Sequence, residues 1–138
     1  MDKVNSSFNE ALSSEDNYKA WYDQGVAQAN SGSYHEALAS CDKALAIESQ
    51  DAACWVLRGV VLIHLERYSE ALASCEKAVA IDPNHQEAWL IRGAALNHLG
   101  RYKQSYASYD KAVGVKQTGW QRLSQMFKRN FLTVTLLG

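Results

Sequence analysis

Two histidines, His64 and His98, occupy equivalent positions in two similar stretches of the sequence, 34 residues apart. Neutral imidazole is a common metal ligand. On neighbouring helices the two backbones would lie about 8–10 Å apart, which is an ordinary helix packing distance. A metal shared by the two histidines would then need further ligands. The residue 34 positions before His64 is Asn30, which is a poor metal ligand. We therefore interpret the histidines as the polar rim of a groove.

The three cysteines, Cys41, Cys54 and Cys75, are odd in number and include no C-x-x-C pair. This pattern argues against a disulfide framework and against a zinc knuckle. We interpret all three as small residues of the hydrophobic core.

Common catalytic and nucleotide-binding motifs are absent from the sequence, which contains no HExxH, GxSxG, P-loop or GxGxxG. Catalysis also needs an acid, base or nucleophile held against a partner in a pocket, and the sequence indicates no such pair. We predict that the protein is not an enzyme and uses no cofactor and no metal.

Charge and hydropathy limit the partners and the location of the protein. A formal net charge of −1 leaves no broad basic surface for phosphates, so nucleic acid is excluded as a first partner. The N-terminal stretch MDKVNSSFNE has an acidic second residue and no apolar run, and so predicts neither a signal peptide nor a membrane span. We expect a cytoplasmic protein.

An internal repeat specifies the elements that position these residues. Three stretches that begin at Trp21, Trp55 and Trp89 align without a gap at a spacing of 34 residues. A glycine and a tyrosine keep the same register in every copy: Gly25, Gly59 and Gly93, then Tyr34, Tyr68 and Tyr102. The repeat predicts three equivalent units, over residues 18–51, 52–85 and 86–119.

Each unit has the periodicity of two helices. Trp55, Gly59, Leu62 and Ile63 recur at i, i+4, i+7 and i+8, and a second apolar stripe begins at Tyr68. The stretches NSGS and LERYS interrupt the first helix of their units, and IDPNHQ separates two units. Each unit is therefore predicted to be a helical hairpin, in which glycine and alanine let the two helices approach closely.

These residues resemble the tetratricopeptide repeat (TPR) family, whose 34-residue unit carries the motif W-x2-L-G-x2-Y. The resemblance covers residues 18–119. The motif leucine is replaced by Gln24, Arg58 or Arg92, and the motif tyrosine by Gln28, Leu62 or Leu96. The resemblance implies an all-α fold, a right-handed α-solenoid of three TPR helical hairpins.

We predict a C-terminal capping helix, followed by an apolar tail, within residues 120–138. Its apolar residues recur at helical spacing: Trp120, Leu123, Met126, Phe127, Phe131 and Val134. The tail FLTVTLLG either packs along the last hairpin, enters a second copy to give a homodimer, or belongs to a basic helix resting on a membrane, the weakest alternative. Residues 1–17 are predicted to be a mobile N-terminal segment.

The family resemblance also implies that the first helices line a concave surface where an extended or helical peptide binds. The predicted peptide-binding groove consists of Tyr22, Val26, Asn30, Val56, Val60, Ile63, His64, Leu90, Ala94, Asn97 and His98. The other inward positions are Lys19, Ala29, Ala53 and Glu87. Its aliphatic middle, if exposed, would mark an interaction surface for an amphipathic helix. Alternatively, these aliphatic residues are covered within the molecule.

One family subtype is set aside on its residues. Members that grip the C-terminal carboxylate of heat-shock chaperones use lysine, asparagine and arginine at inward positions. The corresponding positions here hold Tyr22, Val26, Leu57, Glu87 and Ile91, which cannot form a carboxylate clamp. The sequence thus predicts a noncatalytic scaffold that binds a hydrophobic or amphipathic segment of another protein, or alternatively a self-associating structural module.

Overall fold

The structure, a computed structural model, describes residues 13–114 as six α-helices with no strand among them. The helices are α1 (Ser14–Asn30), α2 (Tyr34–Ile47), α3 (Ala52–His64), α4 (Tyr68–Ile81), α5 (Gln86–His98) and α6 (Tyr102–Ala112). Helices α1 and α2, α3 and α4, and α5 and α6 form three packed pairs, and each pair also contacts the next. The all-α prediction is confirmed. The predicted capping helix and tail lie outside the described residues.

Helix α1 begins four residues before the predicted first unit. Ser13 caps it, because its side chain accepts a hydrogen bond from the backbone N–H of Asp16 at 3.1 Å. Glu15 and Asp16 in the first turn also favour a helix N-terminus electrostatically. Residues 14–17 therefore belong to α1 in the structure.

The three hairpin turns have one backbone geometry at a 34-residue spacing. Gly32 and Gly100 have φ of +82° and +77°, and the equivalent residue in the second turn is Glu66, with φ of +60°. In that turn the N–H of Glu66 donates to the Ile63 carbonyl at 2.9 Å, and the N–H of Arg67 to the Leu62 carbonyl at 2.8 Å. Such helix ends favour glycine, because a Cβ is strained at positive φ.

Replacing Glu66 with glycine is expected to raise the free energy of unfolding by about 0.5–1 kcal/mol, because relief of the left-handed strain exceeds the added backbone entropy. Urea unfolding of the full chain measures the change. The matched control is Glu48→Gly, because Glu48 also follows a helix but has φ of −135°. Stabilisation by both substitutions would contradict this explanation.

The main hydrophobic cluster runs through four successive helices. It consists of Ala37, Leu38, Val61, Leu62, Ala71, Leu72, Ala95 and Leu96. Leu62 and Leu96, which are equivalent residues in α3 and α5, are among its largest fully buried side chains. The repeat thus places the same leucine at the centre of successive hairpins.

Close approach of the two helices of the second hairpin depends on Gly59 and Cys75. A Cβ at Gly59 would lie 2.8 Å from the Cys75 sulfur, a distance that real side chains do not tolerate. Cys41, Cys54 and Cys75 are all buried free thiols, which confirms their interpretation as core residues. Burial raises the pKa of the Cys75 thiol to about 12, so this thiol stays protonated at neutral pH.

Two arginines, one in α3 and one in α5, each link three successive helices. Arg58 of α3 pairs with Asp42 of α2 at 2.8 Å, and its Nη1 donates to the Ser74 hydroxyl of α4 at 2.7 Å. Arg92 makes the equivalent contacts to Glu76 at 3.7 Å and to Ser108 at 2.5 Å. Asp42 and Glu76 thus join adjacent hairpins.

Replacing Arg58 with lysine is expected to lower the free energy of unfolding by about 1–2 kcal/mol, because an ammonium cannot serve both partners and the buried Ser74 hydroxyl loses its donor. Thermal and urea unfolding measure the loss. In the exposed pair of Arg67 with Glu70, the control substitution Arg67→Lys should cause no measurable change. Equal losses at both sites would show that the bridge between hairpins is not the cause.

Candidate functional site

A cavity of about 340 Å³ lies between α1 and α3, the first helices of the first two hairpins. It is lined by Tyr22, Val26, Ala29, Asn30, Tyr34, Ala53, Val56, Leu57, Val60, His64 and Glu87. Nine of these residues come from α1 and α3, while Tyr34 comes from α2 and Glu87 from α5. The name "α1–α3 groove" is used below for this cavity and its rim.

The structure brings together six of the eleven residues of the predicted groove: Tyr22, Val26, Asn30, Val56, Val60 and His64. Three of the other predicted inward positions, Ala29, Ala53 and Glu87, also line the cavity. The arrangement places aliphatic side chains on the wall and the exposed Asn30, His64 and Glu87 at the edge. Such a surface can bury an apolar side chain and offer hydrogen bonds beside it.

Val56 differs from its expected exposure. It is only 3% exposed and belongs to a core cluster with Ala52, Ala78 and Ala88. Val56 lines the cavity and also belongs to this buried cluster, which extends to Ala88 of α5. The expected exposed aliphatic stripe is therefore interrupted at this residue.

The other five predicted groove residues do not line the cavity. Ile63 packs against the main hydrophobic cluster instead. Leu90, Ala94, Asn97 and His98 lie on α5, one hairpin further along the stack. Leu90 is 50% exposed, so α5 still carries an accessible aliphatic side chain on its surface.

Both histidines of the predicted rim stack on tyrosines of the preceding hairpin. The ring centroids of His64 and Tyr34 are 4.5 Å apart with an interplanar angle of 2°, and those of His98 and Tyr68 are 4.3 Å apart at 3°. Both histidines nevertheless remain exposed. Within residues 13–114, no group of three or more histidine, cysteine, aspartate or glutamate side chains is placed to hold a metal ion.

Carboxylates surround Tyr22 at one end of the cavity. Burial raises the pKa of the Tyr22 hydroxyl, and the charges of Asp51, Glu87 and Asp23 raise it further. Asp51 also caps α3, because it accepts the Ala53 N–H at 2.8 Å, and it accepts a hydrogen bond from the Tyr18 hydroxyl. Three carboxylates therefore act on the Tyr22 hydroxyl at this end of the groove.

Two lining residues, Tyr34 and Leu57, were not part of the predicted peptide-binding groove, although Leu57 was named among the positions that correspond to a carboxylate clamp. Tyr34 reaches the cavity from α2, where it stacks on His64. Leu57 follows Val56 in α3, and its Cδ2 would lie 3.4 Å from a Cβ added at Gly25. Leu57 therefore packs against α1 beside the cavity.

None of the helices within residues 13–114 is both long enough and apolar enough to cross a membrane.

Three segments of the sequence match the family described as tetratricopeptide repeat: residues 52–85, 74–107 and 6–53. The curated proteins contain no match to the chain.

Solved structures share the fold. The Arabidopsis OM64 TPR domain is 21% identical with a TM-score of 0.76, over 86% of this chain and 99% of that one. The second TPR of Spaghetti (RPAP3), bound to the HSP90 peptide SRMEEVD, is 20% identical with a TM-score of 0.70, over 72% and 93%. The TPR2B domain of yeast Sti1, in a pHsp70 complex, is 22% identical with a TM-score of 0.68, over 70% and 77%. At these identities the likeness shows the fold.

Proposed function

The chain belongs to the tetratricopeptide repeat family, and from that premise we propose that it is a noncatalytic protein–protein interaction scaffold. In this proposal, the α1–α3 groove holds a hydrophobic or amphipathic segment of a partner protein. Two of the structural relatives are complexes with chaperone peptides, which supports a peptide as the ligand class. Buried free thiols suit a reducing compartment and support a cytoplasmic location.

The observation that carries the proposal is the cavity itself. Val26 and Val60 form part of its wall and are only half-buried, while Asn30 and His64 stand exposed at its edge. Burying an aliphatic side chain of a partner there would remove apolar surface from water on both molecules. The exposed polar edge could then hydrogen-bond the backbone or polar face of the bound segment.

Photo-crosslinking tests the groove directly. A photoreactive phenylalanine analogue at Asn30, on the rim, should form covalent adducts with a partner segment when the protein is irradiated in extract from its own cells. The same analogue at Ala39, an exposed residue of α2 outside the cavity, is the matched control. Mass spectrometry of the adducts identifies the crosslinked peptide. Adducts from position 39 without adducts from position 30 would contradict the proposal.

The second candidate function is self-association through residues 120–138, and the last hairpin favours it. Tyr102 is 57% exposed, whereas its equivalents Tyr34 and Tyr68 stack on histidines of the following hairpin. One buried carboxylate oxygen of Asp110, the equivalent of Asp42 and Glu76, has no hydrogen-bond partner in the described part of the chain. Within residues 13–114, the contacts that join successive hairpins are therefore incomplete at this end.

Light scattering of the chain with and without residues 120–138 tests the second candidate. Dimers that form with increasing concentration and disappear on truncation would support self-association, with the segment of one copy covering the last hairpin of another. A monomer at every concentration would contradict it and leave the groove scaffold as the proposed function.

A further inference from the structure

The charges around the α1–α3 groove are unbalanced. Two of its eleven lining residues have an acidic or basic side chain, Glu87 and His64. Asp23 stands next to Tyr22 in α1, and Asp51 at the start of α3 adds a third carboxylate to this end. Lys19, four residues before Asp23 in α1, is a cation near these carboxylates; like Asp23 and Asp51, it does not line the cavity itself.

Two of these carboxylates are available to a ligand. Asp51 is occupied, because it accepts hydrogen bonds from the Ala53 N–H and the Tyr18 hydroxyl. Glu87 and Asp23, by contrast, are exposed and form no ion pair with residues 13–114. A cation brought by a ligand would therefore displace no ion pair at Glu87, and at Asp23 it would add to Lys19, which lies four residues earlier in α1.

Resting on the proposed function, we propose that the α1–α3 groove selects an amphipathic segment that places an aliphatic side chain in the cavity and lysine or arginine beside it, against Glu87 and Asp23. The charges near Tyr22 support this choice. Burial raises the pKa of the Tyr22 hydroxyl, and the carboxylates of Asp51, Glu87 and Asp23 raise that pKa further. The groove thus differs in charge preference from the structural relative that holds the acidic peptide SRMEEVD. Complementary charge sets specificity and association rate more than total affinity.

Three fluorescent probe peptides test the charge preference with the full chain. Two are amphipathic 18-residue peptides with the same leucine stripe, one with lysine and the other with glutamate on its polar face, and the third is SRMEEVD. Anisotropy titrations at low salt should show the lysine peptide binding at least about tenfold more tightly than the glutamate peptide, with no binding of SRMEEVD. Raising the ionic strength should narrow the difference, because salt screens exposed charges.

Charge reversal locates the effect. In the double variant Asp23→Lys, Glu87→Lys, the ratio of the affinity for the lysine peptide to the affinity for the glutamate peptide should fall by about tenfold or more. The control away from the cavity is the charge reversal Glu36→Lys on α2; Asp42 is left unchanged because it pairs with Arg58. The control should keep the preference of the unmodified protein.

The outcomes separate this inference from the proposed function. The lysine and glutamate peptides could bind equally well, and both could lose binding when Ala53→Leu fills the cavity. That result would overturn the charge preference and leave the groove scaffold as the proposed function. An equal loss of preference in Glu36→Lys would overturn it as well, because the attraction would then reflect overall charge. Failure of every amphipathic peptide to bind would count against both proposals.

Discussion

Replacing Leu62 with alanine is expected to lower the free energy of unfolding by about 2–5 kcal/mol, as large-to-small changes in well-packed cores do. Leu62 is fully buried in the main hydrophobic cluster between residues of α2, α4 and α5. The neighbouring helices are held by their own contacts on both sides and cannot collapse freely into the space. Urea unfolding of the full chain, followed by circular dichroism, measures the loss.

The matched control is the same substitution at Leu90, which is also in a first helix but is 50% exposed. Leu90→Ala should change the free energy of unfolding by less than about 0.5 kcal/mol, as is usual for surface positions. A large loss at Leu90 would mean that α5 uses this side chain for packing. A small loss at Leu62 would mean that the stack is not organised around the repeated leucine.

The fold was predictable because a single spacing determines so much of it. Trp21, Trp55 and Trp89 fix the register, and the helix periodicity within one unit then applies to all three. The start of α1 was missed because SSED reads as a polar segment, although Ser13 followed three residues later by Asp16 is a capping signal. The break at LERYS was predicted, but the left-handed backbone of Glu66 within it was not, since the glycine found at residues 32 and 100 is absent there.

The groove was predictable on α1 and α3, and less so on α5. A cavity between first helices needs a helix on each side, and α1 and α3 supply both walls of this one. The predicted capping helix, which would follow the last hairpin, lies outside the described residues. Val56 shows a further limit, because helical periodicity assigns a residue to one face while packing lets it serve both the cavity and the core.

The links between hairpins could not have been found from the repeat alone. Arg58 contacts Asp42 and Ser74, each sixteen residues away but on opposite sides in the sequence. Sequence spacing shows that these residues recur, yet only the stacking of three helices shows that they meet. The same holds for Tyr34 and His64, whose separate repeats gave no sign of a stacked pair.

Replacing Ala53 with leucine is expected to weaken binding of an amphipathic peptide to the α1–α3 groove by at least about tenfold. Ala53 is a half-buried residue near the start of α3 and lines the cavity, so a larger apolar side chain there would occupy the space that a ligand needs. The free energy of unfolding should change by less than about 1 kcal/mol, because leucine is a good helix former and the cavity gives it room.

The control is Ala73→Leu, at an exposed position of α4 outside the cavity. This substitution adds the same side chain to α4 and should leave binding of the amphipathic peptide unchanged. Peptide anisotropy and urea unfolding, measured on both variants, separate occupation of the groove from damage to the fold. Full binding by Ala53→Leu with normal stability would mean that ligands do not enter this cavity, and the groove scaffold would have to be abandoned.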